Sequence, residues 1–440
     1  MTGLTWLHLS DWHQKGTEFD REVVLEALLN DIKRRADVSQ SLAVVDFIVF
    51  SGDLASSGKP EEYQTAKEKL LDPILDATGL KPNRLFIVPG NHDLDRDELK
   101  LFSLDLQKPI ESEAQTQEWL TNERKRRKLQ DLFWAFTKFV TGYTNQNSPD
   151  YADSCFWSIN GKNISIRGLN SALGCGRKEI EKGSLIVGEP QIRESAKGLA
   201  DADIKIAVLH HPLDWLAEYD FLRIERPLRS SCDFILCGHT HRPRVEASLS
   251  TQGDAIIIPA GASYRKRIEK SPHYTSSYNF VHLDFVKGTV SVFLRRWNEE
   301  RGEWVEDISS SHDGQFNFEL AKIKSNNKSD PPASPATPSI HVIPRQIPPP
   351  PRDFKGREDE IADILSNFEK GATITGLRGM GGVGKTALAL VLTDKIKSQF
   401  PDGQIFVDMR GTSNNRTCSI GLSITRLLRA NLPISARKTH

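Results

Sequence analysis

Short apolar runs recur along the N-terminal part of the chain, and most end in turns rich in glycine or polar residues. Apolar runs with this punctuation are typical of buried β-strands. We predict strands over residues 5–9, 44–50, 85–88, 155–159, 164–169, 204–209, 234–237, 255–258, 280–285 and 290–294. The last two alternate apolar and polar positions around a Lys287-Gly288 turn, which predicts a β-hairpin.

Apolar residues at helical spacing separate several of these strands. They predict one helix over residues 19–35 and a second over residues 61–70. Residues 98–143 are also helical in pattern, and we expect them to cap the functional site. Strands that alternate with helices indicate an α/β protein, here with two β-sheets packed face to face and flanked by helices.

Five of the predicted strands are each followed immediately by residues of the types that bind metal ions. Each position alone is typical of a helix cap, a turn or a hydrogen-bonded histidine. Their repetition after separate strands favours a common site, because functional residues concentrate on loops held by a rigid scaffold. The residues are Asp11, His13, Asp53, Asn91, His92, Asp93, His210, His239 and His241.

The chemistry of these side chains indicates a pair of metal ions. Oxygen and imidazole nitrogen ligands suit zinc, manganese or iron. One bridging carboxylate can hold two such ions close together, an arrangement that stabilises the attacking and leaving oxygens of a phosphoryl transfer. Gly52, Gly90 and Gly238 stand beside these residues and permit sharp turns at the strand ends.

The order D-x-H, G-D, G-N-H-D, H and G-H-x-H resembles that of the calcineurin-like metallophosphoesterase family over about residues 4–300. The resemblance implies a four-layer sandwich of two β-sheets flanked by helices. It also implies two sets of metal ligands that share Asp53. The first set is Asp11, His13, Asp53 and His241, and the second set is Asp53, Asn91, His210 and His239.

Further roles depend on the same resemblance. His210 is preferred to His211 because the family places the ligand directly after the strand, and the choice between them stays open. His92 matches a histidine that does not bind metal and that protonates or stabilises the leaving oxygen, and Asp93 would orient it. The implied reaction is hydrolysis of a phosphodiester or phosphomonoester by a hydroxide bridging two ions of manganese, iron or zinc.

Two basic segments raise the question of a polyanionic partner. Residues 124–128 (RKRRK) begin a helical pattern, and we interpret them as the solvated face of a helix because the run is short for a nucleic-acid patch. Contact with a polyanion is the alternative. Residues 265–267 (RKR) follow a Pro-Ala-Gly turn and are the better candidates for phosphate contacts.

The composition changes over residues 321–352, which are rich in Ser, Asn, Lys and Pro and end in a run of prolines. Such a segment cannot bury a core and is expected to be an extended linker. We therefore predict a metallophosphoesterase domain over residues 1–320, a linker over 321–352 and a second domain over 353–440.

The second domain contains a phosphate-binding motif. A predicted strand over residues 372–376 leads into GMGGVGKT and then into an apolar helix over 387–396, the context in which G-x-x-x-x-G-K-T binds nucleotides. Lys385 would reach the β- and γ-phosphates and Thr386 would bind magnesium. The predicted nucleotide-binding residues are Gly379, Gly381, Gly382, Gly384, Lys385 and Thr386.

The flanking sequences FKGRE at 354–358 and QIFVDMRG at 404–411 resemble the NB-ARC class of STAND signalling ATPases. An apolar strand with an acidic end is lacking after Lys385, so we expect a partial, truncated P-loop NTPase domain without ATP hydrolysis. Binding of ATP or ADP with magnesium stays open. The alternative function is a nucleotide-switched signalling or defence protein with the phosphoesterase, or a nuclease, as its effector.

Composition narrows the class of protein further. Hydrophobic residues at 38% and charged residues at 26% are ordinary for a globular protein, and a net charge of zero gives nucleic-acid binding no support. The five cysteines lack zinc-site spacing and are expected to be reduced. We expect a cytoplasmic enzyme with a phosphate-ester substrate and no membrane partner, because neither a signal peptide nor a membrane-spanning stretch is evident.

Overall fold

The N-terminal part of the chain is built from two β-sheets with helices on their outer faces. The computed structural model describes residues 3–14, 19–101, 107–144, 146, 152–196, 202–239, 246–248, 255–264, 276–308, 313–320, 350, 354–369 and 384–397. The chain divides into two units, Met1–Ser329 and Asp330–His440, which are described separately below.

The strands of the first unit follow one another in groups along the chain. In order they are β1 (Gly3–Leu9), β2 (Phe47–Phe50), β3 (Leu85–Ile87), β4 (Ala152–Ile159), β5 (Lys162–Leu169), β6 (Ile204–Leu209), β7 (Phe234–Cys237), β8 (Glu246–Ser248), β9 (Ala255–Pro259), β10 (Ser277–Asp284), β11 (Thr289–Asn298), β12 (Glu303–Glu306) and β13 (Gln315–Glu319).

Both sheets mix parallel and antiparallel strands. Over the described residues, the first sheet has the order β12-β11-β10-β1-β2-β3, with β13 also paired to β11. Its strands β1, β2 and β3 are parallel, whereas β10 is antiparallel to β1. The second sheet has the order β4-β5-β6-β7-β9-β8, and β5, β6, β7 and β9 are parallel. Parallel strands carry their carboxyl ends to the same edge of a sheet, where functional loops can meet.

Helices connect these strands. In order they are α1 (Phe19–Lys33), α2 (Arg35–Val38), α3 (Pro60–Ala66), α4 (Asp72–Thr78), α5 (Arg96–Leu101), α6 (Glu113–Thr121), α7 (Glu123–Asp131), α8 (Trp134–Thr144), α9 (Glu189–Ser195) and α10 (Glu218–Ser231). A π-helical turn, Lys67–Leu71, joins α3 to α4, and 3-10 turns occur at Gln40–Leu42, Pro82–Arg84 and Leu213–Trp215.

Side chains that alternate along the strands form two separate cores. Trp6 of β1 lies between the sheets, where it stacks on Phe47 at 5.6 Å between ring centroids and meets Phe234 edge-on at 5.2 Å. Leu7 and Leu9 of the same strand point the other way and pack with Leu28 of α1. Strand β1 therefore has one face toward the other sheet and one toward helices. The predicted α/β sandwich of two sheets flanked by helices is confirmed.

The strands predicted within the first unit agree with the structure in type, and the differences lie at their ends, whereas the strand predicted over 372–376 lies outside the described residues. Strand β2 begins at Phe47, later than predicted, and the residue before it is bonded to β1: the Asp46 carboxylate accepts the Thr5 N–H at 2.8 Å. The helix predicted over 61–70 continues through the π-helical turn into α4.

The helical segment between β3 and β4 packs beneath the loops that follow β2 and β3. Phe139 of α8 stacks on Tyr63 of α3 with 5.4 Å between ring centroids. The Tyr63 hydroxyl donates to Asp93 Oδ1 at 3.0 Å. This part of the insertion, which we expected to cap the site, supports one of the site loops through Tyr63.

The second unit is described only in part. Its helices α11 (Glu358–Glu369) and α12 (Lys385–Ile396) share a small cluster formed by Ile361, Leu388 and Leu392. The predicted linker lies outside the described residues except for Pro350. Across the residues described in either unit, no helix combines the length and apolar character needed to cross a membrane.

Candidate metal centre

The loops that follow β1, β2, β6 and β7 bring four of the predicted ligands together. The ligand atoms of Asp11, Asp53, His210 and His239 all lie within 4.8 Å of one another. Those of His13, Asp53 and His92 form a second group within the same limit. Asp53 belongs to both groups, so its carboxylate lies at the centre of the cluster.

The separations within the groups are short and the inner residues are buried. His210 Nε2 lies 3.2 Å from Asp53 Oδ2, and His13 lies 3.7 Å from Asp11 Oδ1 and 3.9 Å from Asp53 Oδ2. Asp11, Asp53 and His210 are buried, whereas His13 and His239 are only partly buried. The cluster is therefore enclosed on the protein side and accessible from solvent on the other.

The hydrogen bonds of His210 show why this cluster suits a cation. Its Nδ1 lies 2.7 Å from the Ser51 carbonyl oxygen, which only accepts, so Nδ1 carries a proton. In a neutral ring Nε2 then presents a lone pair, and it faces Asp53 Oδ2 and His239 Nδ1, each at 3.2 Å. Electron-rich atoms that converge in this way are stabilised by a metal ion among them. The residues present therefore fit a divalent metal.

The pKa values of Asp53 and His210 also show that positive charge is favourable in this cluster. Burial alone would raise the pKa of Asp53, but the His210 imidazole beside it holds that pKa well below its usual value. Burial would lower the pKa of His210, yet the Asp53 and Asp11 carboxylates raise it to about 9. A proton on His210 thus partly compensates the negative charge of the two carboxylates, as a metal ion would do in its place.

The backbone at the candidate ligands is strained. Asp11, His13, Asp53 and His239 have positive φ angles of 53°, 50°, 58° and 68°. Residues other than glycine seldom adopt this conformation, which costs on the order of 1 kcal/mol or more and is concentrated at functional sites. Neighbouring loops hold the strained segments, as where Asp11 N–H donates to Gly52 O and His239 N–H to Asp11 Oδ2.

Gly90 provides the close approach that the sequence predicted. A Cβ atom at Gly90 would clash with Asp53 Oδ1 and would lie 2.6 Å from Asp53 N. Only glycine therefore allows the loop after β3 to pass directly against the central carboxylate.

Asp93 ties the loops after β2 and β3 together. Its carboxylate accepts the N–H groups of Asp53 and Gly90 at 2.9 Å and of Ala55 at 3.0 Å, besides the Tyr63 hydroxyl. Burial and the nearby Asp53 charge raise the pKa of Asp93 to about 6, although these donors favour its ionised form. Asp93 is thus an organiser of the loops.

The His92 ring is held by a backbone carbonyl group. Its Nδ1 lies 2.9 Å from the Ser56 carbonyl oxygen. Among the described contacts, none of the hydrogen bonds accepted by Asp93 comes from the His92 ring. In the structure Ser56 O therefore holds the His92 ring, and Asp93 accepts from backbone N–H groups and the Tyr63 hydroxyl; a role for Asp93 in orienting His92 stays a prediction. The sequence could not identify Ser56, since a backbone carbonyl carries no residue-specific signal.

His211 forms hydrogen bonds with residues other than Asp53. Its Nδ1 lies 2.9 Å from Ser171 Oγ and its Nε2 lies 3.2 Å from Asn91 Oδ1. Cys175 Sγ is 4.0 Å from the same Nε2, and with Glu181 these residues form a further group of ligand atoms. Burial lowers the pKa of His211 well below its usual value. Sequence reasoning did not anticipate Ser171, whose position after β5 resembles an ordinary turn.

Arg21 is a second residue that sequence reasoning missed. Its Nη1 donates to the Trp12 and His13 carbonyl oxygens, both at 2.9 Å. Its guanidinium carbon lies 4.3 Å from the centre of the Tyr264 ring. Arg21 thereby holds the strained loop after β1, although in sequence it looks like an exposed helix arginine.

Several predicted residues lie outside the described part of the chain. They are His241, residues 265–267, Gly379, Gly381 and Gly382, together with the side chains of Lys385 and Thr386. Gly384 is described: it directly precedes helix α12 and has a φ of 79°. The basic run 124–128 forms most of α7, where Lys125 pairs with Glu118 and Arg127 with Glu123. These ion pairs favour the interpretation as a solvated helix face.

A family model described as calcineurin-like phosphoesterase matches residues 4–243, more than half of the chain. An uncharacterised metallophosphoesterase-like protein of Bacillus subtilis, YydB, is 22% identical over 336 residues, which cover 73% of this chain and 66% of that protein. The regulatory protein AfsR of Streptomyces coelicolor is 35% identical over 88 residues, or 18% of this chain and 9% of that protein. The chain thus spans less than two thirds of the length of these relatives.

Solved structures are also similar over much of the chain. GAP50, the anchor in the inner membrane complex of Plasmodium, is 14% identical with a TM-score of 0.38, and the match covers 67% of this chain and 85% of that one. Vps29 of Entamoeba histolytica, solved with zinc, is 11% identical with a TM-score of 0.30, covering 69% and 96% of the two chains.

Proposed function

The chain belongs to the calcineurin-like phosphoesterase family, and we propose that it hydrolyses a phosphodiester or phosphomonoester with two divalent metal ions bound at the Asp53 cluster. The observation that carries this proposal is the convergence of His210 Nε2, Asp53 Oδ2 and His239 Nδ1, with Nε2 at 3.2 Å from each of the other two atoms. A buried cluster of this kind, open to solvent on one side, suits a reaction centre better than a structural ion site.

We assign the ligands to two ions that share Asp53. Asp11, His13, Asp53 and His241 would hold the first ion, and Asp53, Asn91, His210 and His239 the second. The short approach of His13 to both Asp11 and Asp53 supports the first set. The contact of His210 with Asp53 and the separate contacts of His211 support His210 as the ligand of the second.

Bound divalent ions would supply an ionised water near neutral pH and would neutralise the phosphoryl oxygens as charge develops. The protein contributes orientation and proton transfer. Because Ser56 O only accepts, Nδ1 of His92 holds one proton. A second proton, bound at Nε2 in the imidazolium form of the ring, would pass to the leaving oxygen and leave a neutral imidazole. His92 and His13 meet edge-on with 4.6 Å between ring centroids, so this Nε2 proton donor lies beside the metal ligands.

Hydrolysis of bis-p-nitrophenyl phosphate and p-nitrophenyl phosphate by metal-stripped protein tests the proposal. Manganese, zinc or iron is added back, and Asp53→Asn is compared with Asp37→Asn, which makes the same chemical change at an exposed helix residue. We expect metal-dependent turnover in the wild type and in Asp37→Asn, and its loss in Asp53→Asn. Equal turnover in all three proteins would refute the site.

A second candidate function concerns the second unit. The partial similarity to the regulatory protein AfsR and the left-handed Gly384 ahead of α12 are both consistent with a P-loop segment. We propose, as the alternative, a STAND-type signalling or defence protein in which ATP or ADP bound at this segment controls the phosphoesterase. Titration of the full chain with a fluorescent ATP analogue tests it, and binding that persists unchanged in Lys385→Ala would contradict it.

A further inference from the structure

Asn91 depends on a neighbouring residue for the orientation that metal binding requires. Only the oxygen of an asparagine amide can bind a cation, since the amide nitrogen has no lone pair to offer. Asn91 is buried, and its Oδ1 contacts His211 Nε2 at 3.2 Å. One ring nitrogen of His211 lies within 4.8 Å of ring nitrogens of His210 and His239. The orientation of Asn91 beside the candidate second metal position is therefore set where it meets His211.

Hydrogen-bond chemistry fixes the direction of this contact. An amide oxygen only accepts, so His211 Nε2 carries the proton and donates it to Asn91 Oδ1. On the other side of the ring, Ser171 Oγ already accepts the His211 backbone N–H at 3.0 Å. Because the ring proton is on Nε2, Nδ1 has a lone pair and accepts the Ser171 hydroxyl proton at 2.9 Å. The chain runs from Ser171 through His211 to Asn91, and all three residues are buried.

We propose that His211 is a positioning residue that holds Asn91 with its amide oxygen available to the second metal ion, and that Ser171 fixes the His211 tautomer for this purpose. The inference rests on the proposed function and adds to it two residues beyond the ligand sets. A flipped Asn91 amide would place Nδ2–H against Nε2–H, two donors face to face, so the bond selects the ligating orientation. Such supporting hydrogen bonds typically change metal affinity about 10–100-fold.

The same geometry weighs against a third metal ion at Cys175, Glu181 and His211. Those atoms lie close enough to bind one. However, Nε2 would have to present a lone pair in order to bind a metal, and the proton given to Asn91 occupies that position. The two interpretations therefore differ in the number of ions that the chain binds.

Two substitutions of His211 separate its possible roles. The amide of a glutamine reaches the position of Nε2 and can still donate to Asn91, whereas the shorter asparagine reaches only the position of Nδ1. Mn²⁺ affinity is measured by calorimetry and the bound ions are counted by elemental analysis, for His211→Gln, His211→Asn and the remote control His282→Asn. His282 contacts Thr5 on the first sheet, away from the cluster. Both readouts are independent of turnover, so they remain informative if the phosphoesterase proposal fails.

We expect His211→Asn to weaken the second Mn²⁺ by about 10–100-fold, and His211→Gln to restore most of the affinity. Saturating Mn²⁺ should return the kcat of His211→Asn toward that of the wild type. Equal, near-complete loss of the ion in both variants would make His211 a ligand and overturn the proposal, as would wild-type affinity in both. A third ion that Cys175→Ser removes would overturn it too. Ser171→Ala, which leaves the ring in place, should shift the affinity in the same direction and serves if His211→Asn does not fold.

Discussion

Single atoms, more than residue types, distinguish the roles of the histidines in this centre. His210 and His92 both donate Nδ1–H to a backbone carbonyl, of Ser51 and Ser56 respectively, which leaves Nε2 as the working atom. His211 has the opposite arrangement, because its Nε2–H is given to Asn91. We therefore propose that these histidines serve as ligand, proton donor and support according to which nitrogen carries the proton.

The His92 assignment predicts a dependence on the leaving group. His92→Ala removes the Nε2 proton without removing a metal ligand, so we expect kcat to fall about 100-fold or more with unchanged metal content. The loss should be larger for a methyl ester than for a p-nitrophenyl ester of the same phosphate, because p-nitrophenolate departs with little help from an acid. Steady-state kinetics on the two esters measure this. An equal loss for both would exclude His92 as the acid.

The identities of the candidate residues were predictable at this scale, but their partners were not. Strand ends and residue types placed Asp11, Asp53 and His210 in one site, and the structure brings them together. The hydrogen bonds of His92 and Asp93 involve backbone groups of distant loops. Such groups are the same for every residue, so the sequence holds no signal for them.

Strands and loops determine how closely the candidate ligands can approach. Predicted and observed strands coincide where the pattern is strongly apolar, as in β6 and β7. Strands β8, β12 and β13 were missed because they are short and their sequences lack an apolar run. The structure also shows that the loops after β2 and β3 are held by one carboxylate, that of Asp93.

Two glycine substitutions test whether the close contact between the loop after β3 and Asp53 is needed for metal binding. Gly90→Ala should displace Asp53, because the added methyl group meets Asp53 Oδ1 and Asp53 N. We expect loss of metal binding and turnover. Gly142→Ala adds the same methyl group in α8, where nothing lies within 4 Å, and should stabilise the fold by about 0.5–1 kcal/mol. Thermal melting and Mn²⁺ titration of both variants measure the effects, and Mn²⁺ affinity retained in Gly90→Ala would contradict the close approach.

The whole first unit should respond to metal, because the candidate ligands come from both sheets. Asp11 and Asp53 follow strands of the first sheet, and His210 and His239 follow strands of the second. An ion that binds only the folded protein stabilises it by about 2.7 kcal/mol at 100 times its Kd. We expect Mn²⁺ to raise the Tm of the metal-stripped protein by several degrees. Calorimetry with and without Mn²⁺ measures this, and an equal rise in Asp53→Asn would place the stabilising ion elsewhere.

The second unit should have little influence on this chemistry in the present chain. Lys385→Ala removes the side chain proposed to reach nucleotide phosphates, and we expect the rate of ester hydrolysis to remain unchanged. The same kinetic assay, without nucleotide and with ATP, measures it. A large loss of rate would show that the second unit controls the phosphoesterase. The boundaries 1–320, 321–352 and 353–440 stay a prediction, because most of the linker lies outside the described residues.

During synthesis on the ribosome, β1 can complete its pairing in the sheet only after β10 has been made. This strand lies in the interior of the first sheet, with β2 on one side and β10 on the other. Its pairing partner on that second side, Phe280 opposite Leu7, is made about 270 residues later, on the order of ten seconds to a minute at ordinary translation rates. For that interval one edge of an apolar strand lacks its native partner, and an unpaired strand edge of this kind can pair with other chains.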